Sequence, residues 1–445
     1  MSMNLANVSF MVLSSILVLF MTPGLAFFYG GLVSKRNVVN TMLSVYVMTG
    51  VAIMLWIIVG YSLSFEGDFG GVIGNVSHFF MNGVDLNKLT STKIPTGLYA
   101  IFQMMFAIIT PALFVGAVVG RIRFKFLLVF LVCWSVLVYY PMVHLVWSAN
   151  GLLARLGTVD FAGGTVVHIN AGITAFVLSV FLGKRIHYGD KPHTHYNLPW
   201  VLLGTAILWI GWYGFNAGSA LGVSSVAVQA TITTTVATAT AMVAWMFLDM
   251  FIQGKPTLVG VCTGTLCGLV GITPAAGFVT INGAFWIGLA GTCASYFFVN
   301  VLKDRIGVDD ALDAFGCHGV SGIIGSIATG LFATKTVNTA LPENGLFYGG
   351  GWHLFGIQLA ATLITIAFVA VMVSLIIKGL SFVMAMRVDP KEEELGLDQG
   401  EHGEEADYAV ELSNDVAQSQ SDLSLYADEF KGQMAKLQES THRIR

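Results

Sequence analysis

The sequence predicts an all-α polytopic membrane protein: eleven transmembrane helices, N-out/C-in, two inverted five-helix repeats plus a final helix, with a cytoplasmic C-terminal tail. Three observations predict it. The 445 residues are 55% hydrophobic and 11% charged, with mean hydropathy +0.74, a balance that suits neither a soluble domain nor a disordered chain. Eleven apolar runs are long enough to cross a bilayer. Asp160 and His168 lie eight residues apart in one run, and Asp310 and His318 repeat that spacing in another.

The runs fall at roughly 8–33, 41–64, 98–120, 125–147, 161–183, 197–217, 223–252, 257–275, 280–301, 311–332 and 353–386. Repeat one then covers about 8–183, repeat two about 197–332, and the eleventh helix about 353–386, completing a transmembrane domain over 1–386. The first run has small residues around Pro23 and Gly24 but no basic start, and it continues to Lys35 and Arg36, so it reads as a retained helix rather than a signal peptide. Orientation follows from Lys and Arg. With the N-terminus outside, fourteen of them precede the far tail on the inner side, against Lys88, Lys93, Arg155 and Lys335 outside. The fifty glycines suit close helix packing, with Gly260, Gly264 and Gly268 spaced as a small-residue ladder for helix contact. Five cysteines inside spans show no disulfide or zinc pattern. The N-x-S sequences at Asn7 and Asn75 carry no assigned role.

On this topology the Asp160 run enters from outside and the Asp310 run from inside, which makes the halves inverted repeats. Eight helical residues at 1.5 Å carry each histidine about 12 Å inward from opposite faces of a core roughly 30 Å thick. Both imidazoles approach the midplane, with a direct His168–His318 hydrogen bond within reach. Each aspartate suits a helix start, where a carboxylate caps free N–H groups and meets the positive end of the dipole. Asp160 would also favour cations near the outer mouth. A histidine in hydrocarbon is costly unless it faces protein or a pathway, and two in matching halves point to a shared functional centre.

The rest of the lining limits what could pass. A hydrated metal ion would find almost no oxygen ligands in these spans, so a small, nearly neutral species that hydrogen-bonds to imidazole fits better. Phe102, Phe106, Trp147, Trp212 and Phe215 fall near the outer ends of runs three, four and six. Such rings either hold a bare cation by cation–π attraction or form an ordinary interfacial belt.

The stretch Asp160-Phe161-Ala162-Gly163-Gly164-Thr165-Val166-Val167-His168-Ile169-Asn170-Ala171-Gly172 resembles the signature of the ammonium transporter family, the Amt/Mep branch of the Amt/Mep/Rh superfamily. Thr22–Gly31, Gly211–Ser219 and Asp310–Gly319 are similar to that family's first, sixth and tenth helices, so the match spans roughly 8–408 in family order. The resemblance implies a homotrimer with one pore per subunit in the cell membrane, carrying ammonium/ammonia and methylammonium without cofactor, metal or enzymatic step. It implies Trp147, Phe106 and Ser219 as the outer ammonium site, Phe106 and Phe215 as the gate, His168, His318 and Trp212 along the pore, and Asp160 supporting the outer site. It also implies net charge transfer. Trp147 with Ser219 favours Amt/Mep over Rh. Cys317 stands where an aliphatic residue is more usual, a small hydrophobe for another.

Residues 387–445 hold fifteen of the 26 acids and six of the 22 basic residues, a net −9 against +5 for 1–386. This acidic tail belongs in water. Its first part, through His402-Gly403-Glu404, resembles the family's cytoplasmic tail, which implies a PII-type regulatory partner; nucleic acid is not expected. Beyond about Val410 the resemblance ends, and Leu423, Tyr426, Phe430, Met434 and Leu437 recur at helical spacing. The extension keeps a second class open, an ammonium sensor or receptor signalling through this tail. An adventitious metal site at His187, His193 and His195 has only Asp190 in support, and no phosphate-cradling G-x-x-x-x-G-K-[ST] sequence points to ATP-driven pumping.

Overall fold

A computed structural model describes residues 2–189, 194–406, 426–427 and 430–431. Among these residues the secondary structure is helical apart from isolated bridges. Among the described residues ten helices are long and apolar enough to cross a membrane: α1 Leu5–Leu32, α2 Lys35–Phe65, α3 Thr96–Val118, α4 Phe124–Arg155, α5 Gly164–Leu182, α6 Leu198–Gly218, α7 Ser225–Gln253, α9 Ile281–Ile306, α10 Phe315–Phe332 and α11 His353–Ser381. The eighth predicted run forms α8, Leu258–Ile272, an apolar helix of 15 residues. Large apolar side chains such as Ile16, Phe20, Leu202, Ile210, Leu363 and Leu375 are exposed on the helix surfaces, as a bilayer solvent allows.

Small residues decide which helices meet. A Cβ at Gly204 would lie 2.4 Å from Phe28 N, and one at Gly214 would lie 2.7 Å from Ser14 O, so α1 and α6 approach backbone to backbone. The ladder at Gly260, Gly264 and Gly268 lies against α7, facing Asp249 and Trp245, Trp245 and Ala241, and Ala241 and Ala237 in turn. The tightest approach that bears on the histidines joins α5 to α10. A Cβ at Gly172 would come 2.3 Å from Gly319 Cα, and one at Gly322 would come 3.2 Å from His168 Cβ.

Residues 1–402 form one compact unit. Within it the start of the tail lies against the loops that carry Arg121, Arg123 and Arg185. Arg123 N–H donates to Met386 O at 2.9 Å and Val388 N–H to Arg121 O at 3.1 Å. A short helix, α12 (Pro390–Leu395), follows, with Glu393 paired to Arg387 and accepting Ile186 N–H at 3.0 Å. Asp398 Oδ1 accepts Asn40 N–H at 2.8 Å, and Asn37 Oδ1 accepts Leu397 N–H at 2.9 Å. Residues 403–445 form the second unit, and of the helix predicted over 423–437 only Tyr426, Ala427, Phe430 and Lys431 are described. His193 and Asp190 of the considered metal group also lie outside the described residues.

The α5–α10 contact yields a paired prediction. Gly172→Ala forces a methyl into Gly319 and should cost about 1–3 kcal/mol, read as a lower thermal unfolding midpoint in detergent. Gly356→Ala on α11 meets nothing within 4 Å and should leave that midpoint level or slightly raised.

Candidate functional site

Both predicted transmembrane runs that carry the histidines are interrupted at their starts. Residues 160–163 are non-helical, and Gly163 takes φ +107°, a left-handed conformation that a side chain would strain; its Cβ would also meet Val167. The eight-residue helical rise assumed from sequence is therefore shortened, because α5 begins only at Gly164. The Asp160 carboxylate offsets the break. Its Oδ1 accepts Gly163 and Gly164 N–H at 3.0 and 2.7 Å, and its Oδ2 accepts Thr165 and Val166 N–H at 2.9 and 3.2 Å. Asp310 does the same for α10, taking Ala314, Phe315 and Gly316 N–H at 2.9, 2.8 and 3.3 Å. Each first turn is then wide, a π-helical stretch over Gly164–Ile169 and Phe315–Val320, so each histidine sits in a turn of unusual width.

The two imidazoles come together, with centroids 5.5 Å apart and planes inclined 10°. The direct hydrogen bond expected from sequence is not formed: among the described residues, Nδ1 and Nε2 of His168 and Nδ1 of His318 have no hydrogen-bond partner. α5 and α10 cross closely at Gly172 and Gly319 beside the pair, and the unbonded ring nitrogens are able to bond a guest.

From His168 the rings continue toward Trp147. Phe215 lies 5.8 Å from His168, Phe106 lies 4.4 Å from Phe215, and Trp147 lies 5.6 Å from Phe106 at 89°. Phe102 adds an edge contact 5.0 Å from Phe106, and Trp212 stacks on His168 at 5.3 Å and 13°. Phe102, Phe106, Trp212 and Phe215 are each at most 1% exposed, so they face one another rather than forming an interfacial belt. Trp147 is half-buried, and its Nε1–H donates to Asp160 O at 3.2 Å. Ser219, also half-buried, sits at the end of α6 and donates to Phe215 O at 2.9 Å, which spends its proton and leaves its oxygen as an acceptor. The structure thus joins Trp147, Phe106, Phe215, Trp212, His168 and His318 in one ring column, with Asp160 bound to Trp147 and Ser219 bound to Phe215.

A sequence model of the Ammonium Transporter Family matches residues 9–407. This chain belongs to the ammonium transporter family. It is 46% identical over 402 residues to an ammonium transporter of Aquifex aeolicus, covering 90% of this chain and 93% of the relative. The crystal structure of Candida albicans Mep2 is similar at TM-score 0.83 and 34% identity, covering 92% of this chain and 91% of that one. A solved structure described as a sensor Amt protein is similar at TM-score 0.81 and 28% identity, covering 89% and 98%. As an ammonium transporter family member with apolar helices throughout, the chain is a multi-pass membrane protein.

Sequence reasoning missed the groups that hold this family member's rings in place. Trp212 Nε1–H donates to Thr273 Oγ1 at 2.8 Å, and Asn216 Nδ2 donates to Thr234 Oγ1 at 2.9 Å while its Oδ1 lies 3.3 Å from Thr273. Threonines inside apolar helices usually bond their own backbone, as Thr273 also does to Leu269 O, so nothing local marks this one. Gly172 and Gly319 lay within the quoted motifs, but spacing alone does not say which glycine meets which.

Asp160→Asn replaces one acceptor oxygen by an amide facing two backbone N–H groups. It should destabilise by about 1–3 kcal/mol, measured as a lower unfolding midpoint in detergent.

Proposed function

We propose that this chain transports ammonium by recruiting NH4+ at Trp147, Phe106 and Ser219, removing its proton at the Phe106/Phe215 gate, and conducting NH3 past His168 and His318. The ring column carries this reading. A cation over the face of Trp147 or Phe106 gains up to about 2 kcal/mol where water is excluded, and the Ser219 oxygen accepts one of its N–H bonds. Beyond that point the column offers no carboxylate. Taking an ion into a dry site costs far more than taking a neutral amine that hydrogen-bonds to imidazole, so the proton must leave before the nitrogen advances. Potassium, of similar size, has no proton to lose, which is where selectivity arises. Phe106 and Phe215, 4.4 Å apart, close the way to hydrated ions and turn aside to admit ammonia.

Asp160 acts here through its carboxylate, whose four bonds from backbone N–H groups fix the start of α5, and through its carbonyl, which holds Trp147. Trp212, stacked on His168, walls the bore. Net charge transfer is part of the proposal, the released proton crossing by a separate or histidine-assisted route. Inverted repeats with N-out/C-in orientation are part of the proposal, supported by the matched Asp160 and Asp310 caps and the Lys/Arg distribution. A homotrimer, methylammonium as a second substrate and a PII-type partner for the tail complete the reading, with no enzymatic step.

The likeness to the sensor Amt protein supports a second reading, in which ammonium binding signals through the extended C-terminal tail, residues 387–445. Deleting 410–445 separates the two: a transporter keeps its ammonium current, and a sensor loses its output.

In proteoliposomes an ammonium pulse should give a saturable current. The double variant His168→Ala/His318→Ala should lose it or its selectivity, while Trp147→Ala/Ser219→Ala should raise half-saturation by about tenfold or more. Absence of wild-type current with ammonium binding retained would overturn electrogenic transport, and pH-indicator uptake would then distinguish an electroneutral ammonia channel from a sensor.

A further inference from the structure

Gln358 is a wholly buried amide on α11 that bonds to Val159, itself part of an apolar cluster with Leu354, Ala333, Leu341 and Phe278. Burying an amide in such surroundings is costly unless its groups are matched, and here they are. Its Oε1 accepts Val159 N–H at 3.0 Å, while Nε2 donates to Val159 O at 2.8 Å and to Ser326 O of α10 at 3.1 Å. Val159 therefore gets both its backbone bonds from one side chain, and no backbone group among the described residues takes either one outside helices. Thr362, one turn on, donates to Ser326 Oγ at 3.1 Å and steadies the same junction.

Val159 immediately precedes Asp160, whose carbonyl receives Trp147 Nε1–H and whose carboxylate caps α5. The interrupted segment before α5 has no helix of its own to satisfy Val159, so its height and direction depend on what α11 supplies. We infer that Gln358 is a positioning residue of the outer ammonium site, clamping Val159 so that Asp160 and Trp147 are held against Phe106. α11 thereby takes part in substrate recognition without touching substrate. This rests on the transport reading above.

The test measures ammonium-pulse current against concentration for full-length protein in proteoliposomes, normalised to reconstituted protein. Gln358→Met keeps the shape of the side chain and removes its polar atoms, leaving Val159 N–H and C=O unpaired. Half-saturation for ammonium should rise about tenfold while the maximal current changes less than about twofold. Thr365→Val, a buried α11 residue that bonds only Ala361 O of its own helix, should leave both values unchanged. Gln358→Asn keeps the amide but draws it back by one methylene, weakening rather than abolishing its bonds to Val159, and it covers failure of the methionine variant to accumulate; it should raise half-saturation about threefold. Unchanged half-saturation in the accumulating Gln358 variants, with current falling only in step with folded protein, would overturn the inference and leave Gln358 a packing residue. Absence of saturable current in the wild type would instead overturn electrogenic transport, the same comparison then being read from pH-indicator uptake, and absence of uptake as well would overturn the transport reading.

Discussion

Two carboxylates carry the arrangement. A transmembrane helix normally satisfies its own backbone, but α5 and α10 both start inside the protein after non-helical segments, where free N–H groups have no water to turn to. Asp160 receives four of those groups and Asp310 three. With that satisfied, a helix can begin deep in the bundle, and its first turn can bear a histidine away from both surfaces. The wide first turns and the left-handed Gly163 are consequences of starting a helix in this place.

What brings the two starts together is the lack of side chains rather than their presence. Gly172 and Gly319 let α5 and α10 approach until a single methyl would collide, and the imidazoles lie 5.5 Å apart. Lipid gives helices little hydrophobic reason to associate, so close backbone contact and interhelical hydrogen bonds supply the attraction. The same device joins α1 to α6 and α7 to α8. Rings fill the remaining space, and their order runs from half-buried Trp147, near the Ser219 hydroxyl end of α6, to buried His168 and His318 with unbonded ring nitrogens. That order is what the proposed transport of a cation that continues as a neutral molecule requires.

Polar side chains from distant helices keep the ring column rigid. Trp212 is held through Thr273, itself close to Asn216 on α6, and Val159 is held through Gln358 on α11. Each such group is buried and bonded, which makes it expensive to remove and gives it one orientation. At the opposite end Asp398 receives Asn40 N–H near the start of α2, and Glu393 receives Ile186 N–H, so the start of the acidic tail belongs to the helical body although its composition reads as water-soluble.

The sequence by itself determined the membrane class, the eleven apolar segments, the doubled Asp/His spacing and the aromatic candidates, because hydropathy, charge and spacing are local properties. Only the tertiary structure decided which rings face the column. Phe215 is fully buried and Phe247 is 45% exposed, yet both are phenylalanines in apolar helices. In a bilayer the lipid-facing and protein-facing sides of a helix are equally apolar, so the periodicity that marks the core of a soluble protein is absent. Contacts such as Gln358 with Val159, 199 residues apart, and the gap between the histidines arise from how helices cross, which no local pattern encodes.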